Sequence, residues 1–344
     1  MSGSDLVEET LRRVSSDTST MLTHYLAGRE PRRWLGDLVT DYPWRGGKAI
    51  RPALCVETCS AFGGAPEEAI LSAAVMELLH NAFLVHDDIE DESEQRRGRP
   101  TLHVLAGTPL AINAGDAMAM EAMSMLRDNR AILGSYLADR VLQEFELMIR
   151  HTIEGQAIEL GWRRDGVIDL DELDYLDLIV RKTCWYTTIH PIRVGALIGG
   201  GGRTPLEPLT RFALYLGAAF QIRDDLLNLV GDEPTYGKEI LGDLFEGKRT
   251  LMLIHLLNEI DEATRQELRE GFLKARRTER TRSEVEALLD LMHHHGSIEY
   301  ARAFADGIRA KAFEAFEGAF SPAPATTHRR FLSEMIDFML DRQV

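Results

Sequence analysis

Two clusters of carboxylates, each closing an apolar run, are the residues best placed to do chemistry. The first is HDDIEDESEQRRG, in which six acids fall between Asp87 and Glu94, and Arg96 and Arg97 follow at once. Such a charge run is usually a solvated face, yet this one continues directly from the apolar AFLV of residues 82–85. On a helix of 3.6 residues per turn, Asp87 and Asp91 stand about 40° apart, and Asp88 lies within about 60° of Asp91. Asp87, Asp88 and Asp91 are thus expected to converge at a helix C-terminus, where the dipole disfavours negative charge. A bound cation is the natural remedy. All-oxygen ligation with room for water suits Mg²⁺ held between carboxylates and substrate phosphates. The second cluster, FQIRDDLLN, repeats the arrangement with Asp224, Asp225 and Asn228, and Gln221 lies a turn earlier on the same side. A glycine-punctuated loop then carries Lys238, Asp243 and Lys248. Two acidic helix ends, each followed by cations, point to several Mg²⁺ ions gripping one diphosphate while basic side chains neutralise its outer oxygens.

A separate basic group lies upstream in WRGGKAIRP, where Lys48 and Arg51 fall one turn apart as a helix begins after two glycines. Unsatisfied backbone N–H groups and two cations there make an anion pocket. His80, two turns before Asp87 on the same face, is within reach of a neighbouring anion; alone, it would read as a core histidine.

The elements that position these residues are helices. Apolar residues recur at three- and four-residue spacing over 66–86, 108–131, 133–160, 207–230 and 297–316, without a convincing alternating strand. Glycine, proline and polar clusters punctuate the chain at Asp41–Gly47, Arg96–Pro100, Trp162–Asp169, Gly199–Pro208, Gly231–Gly247 and Ser321–Pro324. No low-complexity linker or fixed-period repeat divides the 344 residues. One all-α domain over 1–344, a bundle of roughly a dozen helices, is expected, with the first ~25 residues as a peripheral helix or arm.

Composition excludes several classes. A net charge of −16 argues against nucleic acid as a partner, while metal ions still allow a small anionic substrate. The N-terminus lacks the apolar core of a signal peptide, and no stretch is expected to span a membrane, so stable membrane insertion is not predicted. Three cysteines suit a reducing, cytoplasmic setting. Cys55 and Cys59 read as core thiols, His293–His295 before Gly296 as a helix end, and Met118, Met120, Met123 and Met125 as core filler.

With these motifs together, the chain resembles the trans-isoprenyl diphosphate synthases, or polyprenyl synthetases, and among them most the geranylgeranyl diphosphate synthases. GGKAIRP matches the family's GGKxxRP, HDDIEDESEQRRGRPTLH and FQIRDDLLN look like its two aspartate-rich motifs, and NAGDAMAM and Lys182-Thr183 match further segments. The resemblance runs from GGKAIRP to GKRT. It implies the isoprenoid synthase type I fold and the condensation of isopentenyl diphosphate with dimethylallyl, geranyl or farnesyl diphosphate. It implies Asp87, Asp91 and Asp224 as principal Mg²⁺ ligands, with Asp88, Asp225 and Asn228 completing their surroundings, and Mn²⁺ as a substitute for three Mg²⁺ ions. Arg96, Lys182, Lys238 and Lys248 would hold the allylic diphosphate, and Lys48, Arg51, His80 and Arg97 that of isopentenyl diphosphate. Thr183 and Gln221 would flank the developing carbocation. A homodimer is the family expectation.

Three features depart from the family pattern. Glu159 stands where Asp is frequent, Trp185 and Tyr186 stand where smaller residues are common, and Asp243 follows spacing that carries one extra residue. The two aromatics could narrow the hydrocarbon tunnel or pack the core. By resemblance, aromatics four and five residues before the first aspartate restrict product length. Here Phe83 is aromatic and Ala82 small, which favours a C20 product over farnesyl (C15), with C25 and longer as the other alternative. A type I terpene cyclase would not need GGKAIRP, His80 or the second arginine. A non-catalytic subunit would have lost acids from one cluster, and a ferritin-type di-metal bundle would show Glu-x-x-His pairs.

Overall fold

The structure, a computed structural model, describes residues 3–231 and 240–340. It is all-α, as the spacing predicts. In chain order the helices are α1 (Gly3–Leu26), α2 (Asp37–Trp44), α3 (Ile50–Ala61), α4 (Pro66–Glu90), α5 (Leu102–Ala106), α6 (Thr108–Asp165), α7 (Glu172–Ile179), α8 (His190–Gly199) and α9 (Glu207–Val230). Helices Gly242–Glu246, Leu251–Glu259, Glu262–Leu268, Arg282–His294, Ser297–Phe320 and Thr327–Leu340 follow. The strands among the described residues are β1 (Gln95–Arg96) and β2 (Arg99–Pro100), an antiparallel pair at the expected punctuation. Gly134, with φ 72°, breaks α6 where the two sequence periodicities meet. The chain packs as two compact units: Met1–Ile149, Tyr186–Ala213 and Phe313–Phe338 form the first, and Arg150–Trp185, Leu214–Ala312 and Met339–Val344 the second.

In the first unit α4 is the central element. Pro66 opens it, Glu68 accepts a hydrogen bond from Ala65 N at 2.9 Å, and Leu71, Val75, Leu78, Leu79, Ala82 and Val85 are buried. By length and composition α4 is long and apolar enough to cross a bilayer, with a mean hydropathy of 1.4 over its most apolar window. That window is 72% buried within the protein, so apolar residues all round reflect a helix enclosed by its neighbours. Helix α1 packs on α3 and α4 through Val7, Leu11, Val14 and Leu22.

Helices α3 and α8 form the tightest crossing of this unit. A Cβ on Gly195 would lie 2.2 Å from Cys55 O, and one on Gly199 would lie 2.1 Å from Cys59 O. The pair of cysteines four apart thus meets a pair of glycines four apart, and the spacing serves helix contact. Both thiols are fully buried, and burial pushes Cys59 up to about 12, which leaves it protonated and unsuited to a metal. Met118 and Met125 are core, whereas Met120 is 67% exposed and departs from the expectation.

In the second unit the C-terminal end of α6 is held by arginines. Arg269 Nε donates to Gly166 O at 3.0 Å, Arg249 Nε to Val167 O at 3.0 Å, and Arg265 Nη2 to Ile168 O at 2.8 Å. Three successive carbonyls, orphaned where the helix ends, each receive a cation that also favours the dipole. The His293–His295 run closes the helix Arg282–His294, with Gly296 at φ 68° supplying the stop.

Replacing Gly199 by Val drives a branched side chain into the α3 backbone and should cost about 1–3 kcal/mol or more. Gly318→Ala, where an added Cβ meets nothing within 4 Å, should be neutral or slightly stabilising. Thermal melts followed by circular dichroism separate the two, and equal melting temperatures would remove the close-packing account.

Candidate active site

The first acidic cluster sits where α4 ends, and its three aspartates have different surroundings. Asp87 keeps 25% of its side chain exposed, while Asp88 is fully buried and Asp91 is 2% exposed. The Tyr42 hydroxyl donates to Asp88 Oδ2, and Arg96 donates to Oδ1 through Nε at 2.9 Å and through Nη2. Burial raises the Asp88 carboxyl above its ordinary range, and Arg96 and Tyr42 only partly pull it back. Burial alone would lower Arg96, but Asp88 beside it more than compensates, so the guanidinium stays charged. One oxygen of Asp88 is therefore engaged with Tyr42 and the other with Arg96. Among the described residues no three His, Cys, Asp or Glu side chains stand together as a group that could hold a metal ion. A buried carboxylate at a helix C-terminus is stabilised by a hydroxyl and a cation beside it, and Asp88 has both.

Tyr42 and Arg45, neither singled out by sequence, build the support for this arrangement. Arg45 donates to Arg96 O at 3.0 Å and to Pro100 O at 2.7 Å, with Asp41 as its counter-charge, which fixes the β1–β2 hairpin. Arg97 occupies the hairpin tip with φ 54°. Its guanidinium approaches Gly47, where a Cβ would lie 3.1 Å from Nη2. The glycine of GGK thus admits an arginine from the acidic motif, which joins two parts of the expected isopentenyl diphosphate set. Burial lowers Arg97, Glu77 raises it, and Arg96, Arg51 and Arg45 lower it further. Cations gathered in this way favour an anion between them.

Arg51 opens α3 after Ala49, which has φ 48°, and donates to Thr187 Oγ1 at 3.0 Å. Its Nε is buried and has no acceptor among the described residues, a donor available to a phosphate oxygen. Lys48 Nζ lies 5.9 Å from the Phe338 ring centroid, and His80 is 9% exposed. Ala82 is 1% exposed and Phe83 is half-buried, one turn before Asp87.

The second cluster, at the end of α9, follows the same plan. Tyr175 donates to Asp225 Oδ2 and Gln221 Nε2 to Oδ1, both at 2.7 Å, while Asp224 is half-buried. Burial, then Asp243 and Asp224, push Asp225 up to about 8 against the opposing pull of Tyr175 and Gln221. Asn228 Oδ1 accepts from Asp243 N at 3.0 Å and Asn228 O from Leu241 N at 2.7 Å, pinning the returning chain to α9. Lys248 pairs with Glu246 at 2.6 Å and Asp243 at 3.3 Å. Lys238 lies outside the described residues.

Lys182 and Thr183 fall in a π-helical segment, Val180–Ile189, a geometry that recurs at functional sites. Lys182 Nζ lies 2.5 Å from Glu159 Oε1, so the longer carboxylate left open by sequence serves as the counter-charge of this lysine. Gly155 permits the crossing, since a Cβ there would lie 2.3 Å from Lys182 N. Trp185 stacks on His151 at 4.4 Å and 10°, a packing contact.

The two acidic helix ends thus each pair a more open aspartate with a buried one anchored on a tyrosine. Residues 32–292 match the Polyprenyl synthetase family. The chain belongs to that family. It is 33% identical over 304 residues to a short chain isoprenyl diphosphate synthase of Methanothermobacter thermautotrophicus, covering 87% of each. It is 36% identical over 249 residues to a geranylgeranyl diphosphate synthase of Sulfolobus acidocaldarius, covering 71% of this chain and 72% of the relative. A solved geranylgeranyl pyrophosphate synthetase of Pyrococcus horikoshii matches with a TM-score of 0.85 and 32% identity, over 98% of this chain and 99% of that one. Further relatives are named geranylfarnesyl and nonaprenyl diphosphate synthases. This polyprenyl synthetase is an all-α prenyltransferase acting on isoprenyl diphosphates, and geranylgeranyl enzymes are among the proteins it is similar to.

In a polyprenyl synthetase whose Asp88 anchors Arg96, Asp88→Ala leaves a buried cation and should cost about 3–5 kcal/mol. Asp87→Ala, at a more exposed site, should cost less than about 1 kcal/mol. Melting temperatures of the two variants check this; similar losses would contradict the division of labour.

Proposed function

We propose that the enzyme joins isopentenyl diphosphate head-to-tail to an allylic diphosphate in a Mg²⁺-dependent reaction, with geranylgeranyl diphosphate (C20) as product. The observation that carries this reading is the layout of α4 and its neighbours. Apolar Ala82 and Phe83 precede the acidic end by about one turn, Arg96 is tied to Asp88, and Arg97 reaches Gly47 of the GGK segment that leads into Arg51. One face suits a hydrocarbon tail, and two cationic sets suit two anionic heads.

The donor chemistry fits Mg²⁺, because the donors are carboxylate oxygens and burial, with Asp243 and Asp224 nearby, keeps Asp225 protonated near neutrality, a repulsion that a cation would relieve. Asp87, Asp91 and Asp224 would hold the ions, with Asp88, Asp225 and Asn228 fixing their surroundings. Mg²⁺ when bound supplies Lewis-acid neutralisation of the departing diphosphate. Arg96, kept in place by Asp88, and Lys182, kept in place by Glu159, would grip the allylic diphosphate as its C–O bond breaks and the bonding electrons leave with the phosphate. Lys48, Arg51, His80 and Arg97 would hold isopentenyl diphosphate so that its double bond faces the allylic cation. Thr183 Oγ1 and the Gln221 side-chain oxygen are the dipoles assigned to that cation. The proton lost after C–C bond formation goes to the released diphosphate. Ala82 and Phe83 set where the tail stops.

A cytoplasmic homodimer completes the proposal. Three fully buried free thiols favour a reducing compartment, and exposed Val104, Leu105 and Ile112 near the start of α6 offer apolar surface to a second copy. Sedimentation equilibrium should return twice 38.7 kDa.

Incubation with isopentenyl diphosphate, Mg²⁺ and each allylic primer, followed by chromatography of dephosphorylated products, should give C20 chains, and longer ones from Phe83→Ala. No elongation from any primer would overturn the reading, and an unchanged product from Phe83→Ala would remove the chain-length assignment. The metal assignment has its own check. Below pH about 8 Asp225 carries a proton in the metal-free protein, and a cation lowers its pKa and expels that proton. Mg²⁺ affinity should therefore rise with pH up to about 8 and level off above it. Calorimetry in two buffers of different ionisation heat should show proton release at neutral pH that fades as the pH rises past about 8.

A further inference from the structure

Tyr186 belongs to none of the substrate-binding sets assigned above, yet members of two of them meet its ring within the first unit. The guanidinium carbon of Arg51 lies 4.4 Å from the ring centroid. The His80 imidazole is stacked on it at 5.7 Å and 26°, and Phe83 meets it edge-on at 6.3 Å and 74°. The next residue, Thr187, accepts a hydrogen bond from Arg51 Nη2 at 3.0 Å. Consecutive residues of the π-helical segment therefore hold the same guanidinium, one through its face and one through its edge. A core-filling tyrosine would be enclosed by aliphatic side chains. Tyr186 is half-buried and bounded instead by a cation, an imidazole and the phenyl ring one turn from Asp87.

Physical chemistry gives each contact a consequence. The negative ring face attracts the Arg51 guanidinium and restricts where its remaining donors point. Stacking limits rotation of the His80 ring, and the edge contact limits the rotamers of Phe83. Displacing the ring would therefore disturb the isopentenyl diphosphate set and the product-length residue together. We propose that Tyr186 is a positioning residue that sets isopentenyl diphosphate affinity and product length through one aromatic ring. The inference rests on the roles given above to Arg51, His80 and Phe83.

The test compares Tyr186→Phe, which keeps the ring, with Tyr186→Leu, which removes it, in otherwise intact enzyme whose helicity is confirmed by circular dichroism. Tyr186→Met replaces the leucine variant if that one does not fold. The phenylalanine variant should match wild type within about twofold in every parameter, because the face and edge contacts need no hydroxyl. The leucine variant should raise KM for isopentenyl diphosphate roughly three- to thirtyfold, leave KM for the allylic primer nearly unchanged, and lengthen the product by at least one isoprene unit. Combined with Phe83→Ala, its lengthening should be less than additive, since contacting residues share one effect. A leucine variant with unchanged KM and product length overturns the inference, as does an equal rise in both KM values, the mark of general loosening. Wild-type protein that elongates no primer overturns the functional reading instead. Wild-type elongation beside an unaffected Tyr186→Leu overturns this inference alone.

Discussion

The constraint on which the rest depends is that a carboxylate buried at the C-terminal end of an apolar helix must be stabilised locally. The helix dipole and the low dielectric both oppose its charge. The chain meets this twice with the same device, in separate units. Asp88 and Asp225 are each the second aspartate of a pair, each buried, and each takes a hydrogen bond from a tyrosine hydroxyl. The remaining oxygen goes to Arg96 in one case and Gln221 in the other. Anchoring one aspartate leaves its neighbour, Asp87 or Asp224, more open to solvent and to ions. The motif is thus a division between a residue that holds the helix end and one that faces the chemistry.

That division was not legible in the sequence, although the clusters themselves were. Helix geometry places Asp87, Asp88 and Asp91 on one side, but the angle around an axis carries no information about which neighbour waits there. Tyr42 and Tyr175 come from elements far away in sequence, and neither carries a spacing that marks it as a partner. The helices were legible because their signal is local. Breaks at Gly134, at the β1–β2 hairpin and at Gly296 fall where glycine and polar residues interrupt the apolar period.

Departures from the family pattern turn out to sit at fixed points of the architecture. Glu159, one methylene longer than the frequent aspartate, reaches Lys182 across the crossing that Gly155 opens. Trp185 finds a stacking partner in His151. Tyr186 finds Arg51, His80 and Phe83. All three changes bear on one π-helical segment, whose wider turn alters the direction of every side chain that follows it. A segment of this kind tolerates bulky residues only where matching partners exist, and here they do.

Local stabilisation of this kind also lets a chain with net charge −16 handle anionic substrates. Most of its acids are spread over solvated helices, where they affect local potential little at physiological ionic strength. The arginines that matter are partly buried and tied by specific acceptors: Arg96 by Asp88, Arg45 by Asp41 and three backbone carbonyls. Arg97 is held below its ordinary range first by burial and then by the repulsion of Arg96, Arg51 and Arg45 beside it, against the pull of Glu77. An incoming diphosphate relieves that repulsion, so binding draws on energy already stored in the folded protein. The local balance of charge, set by which side chains are buried beside which, outweighs the sum over the surface.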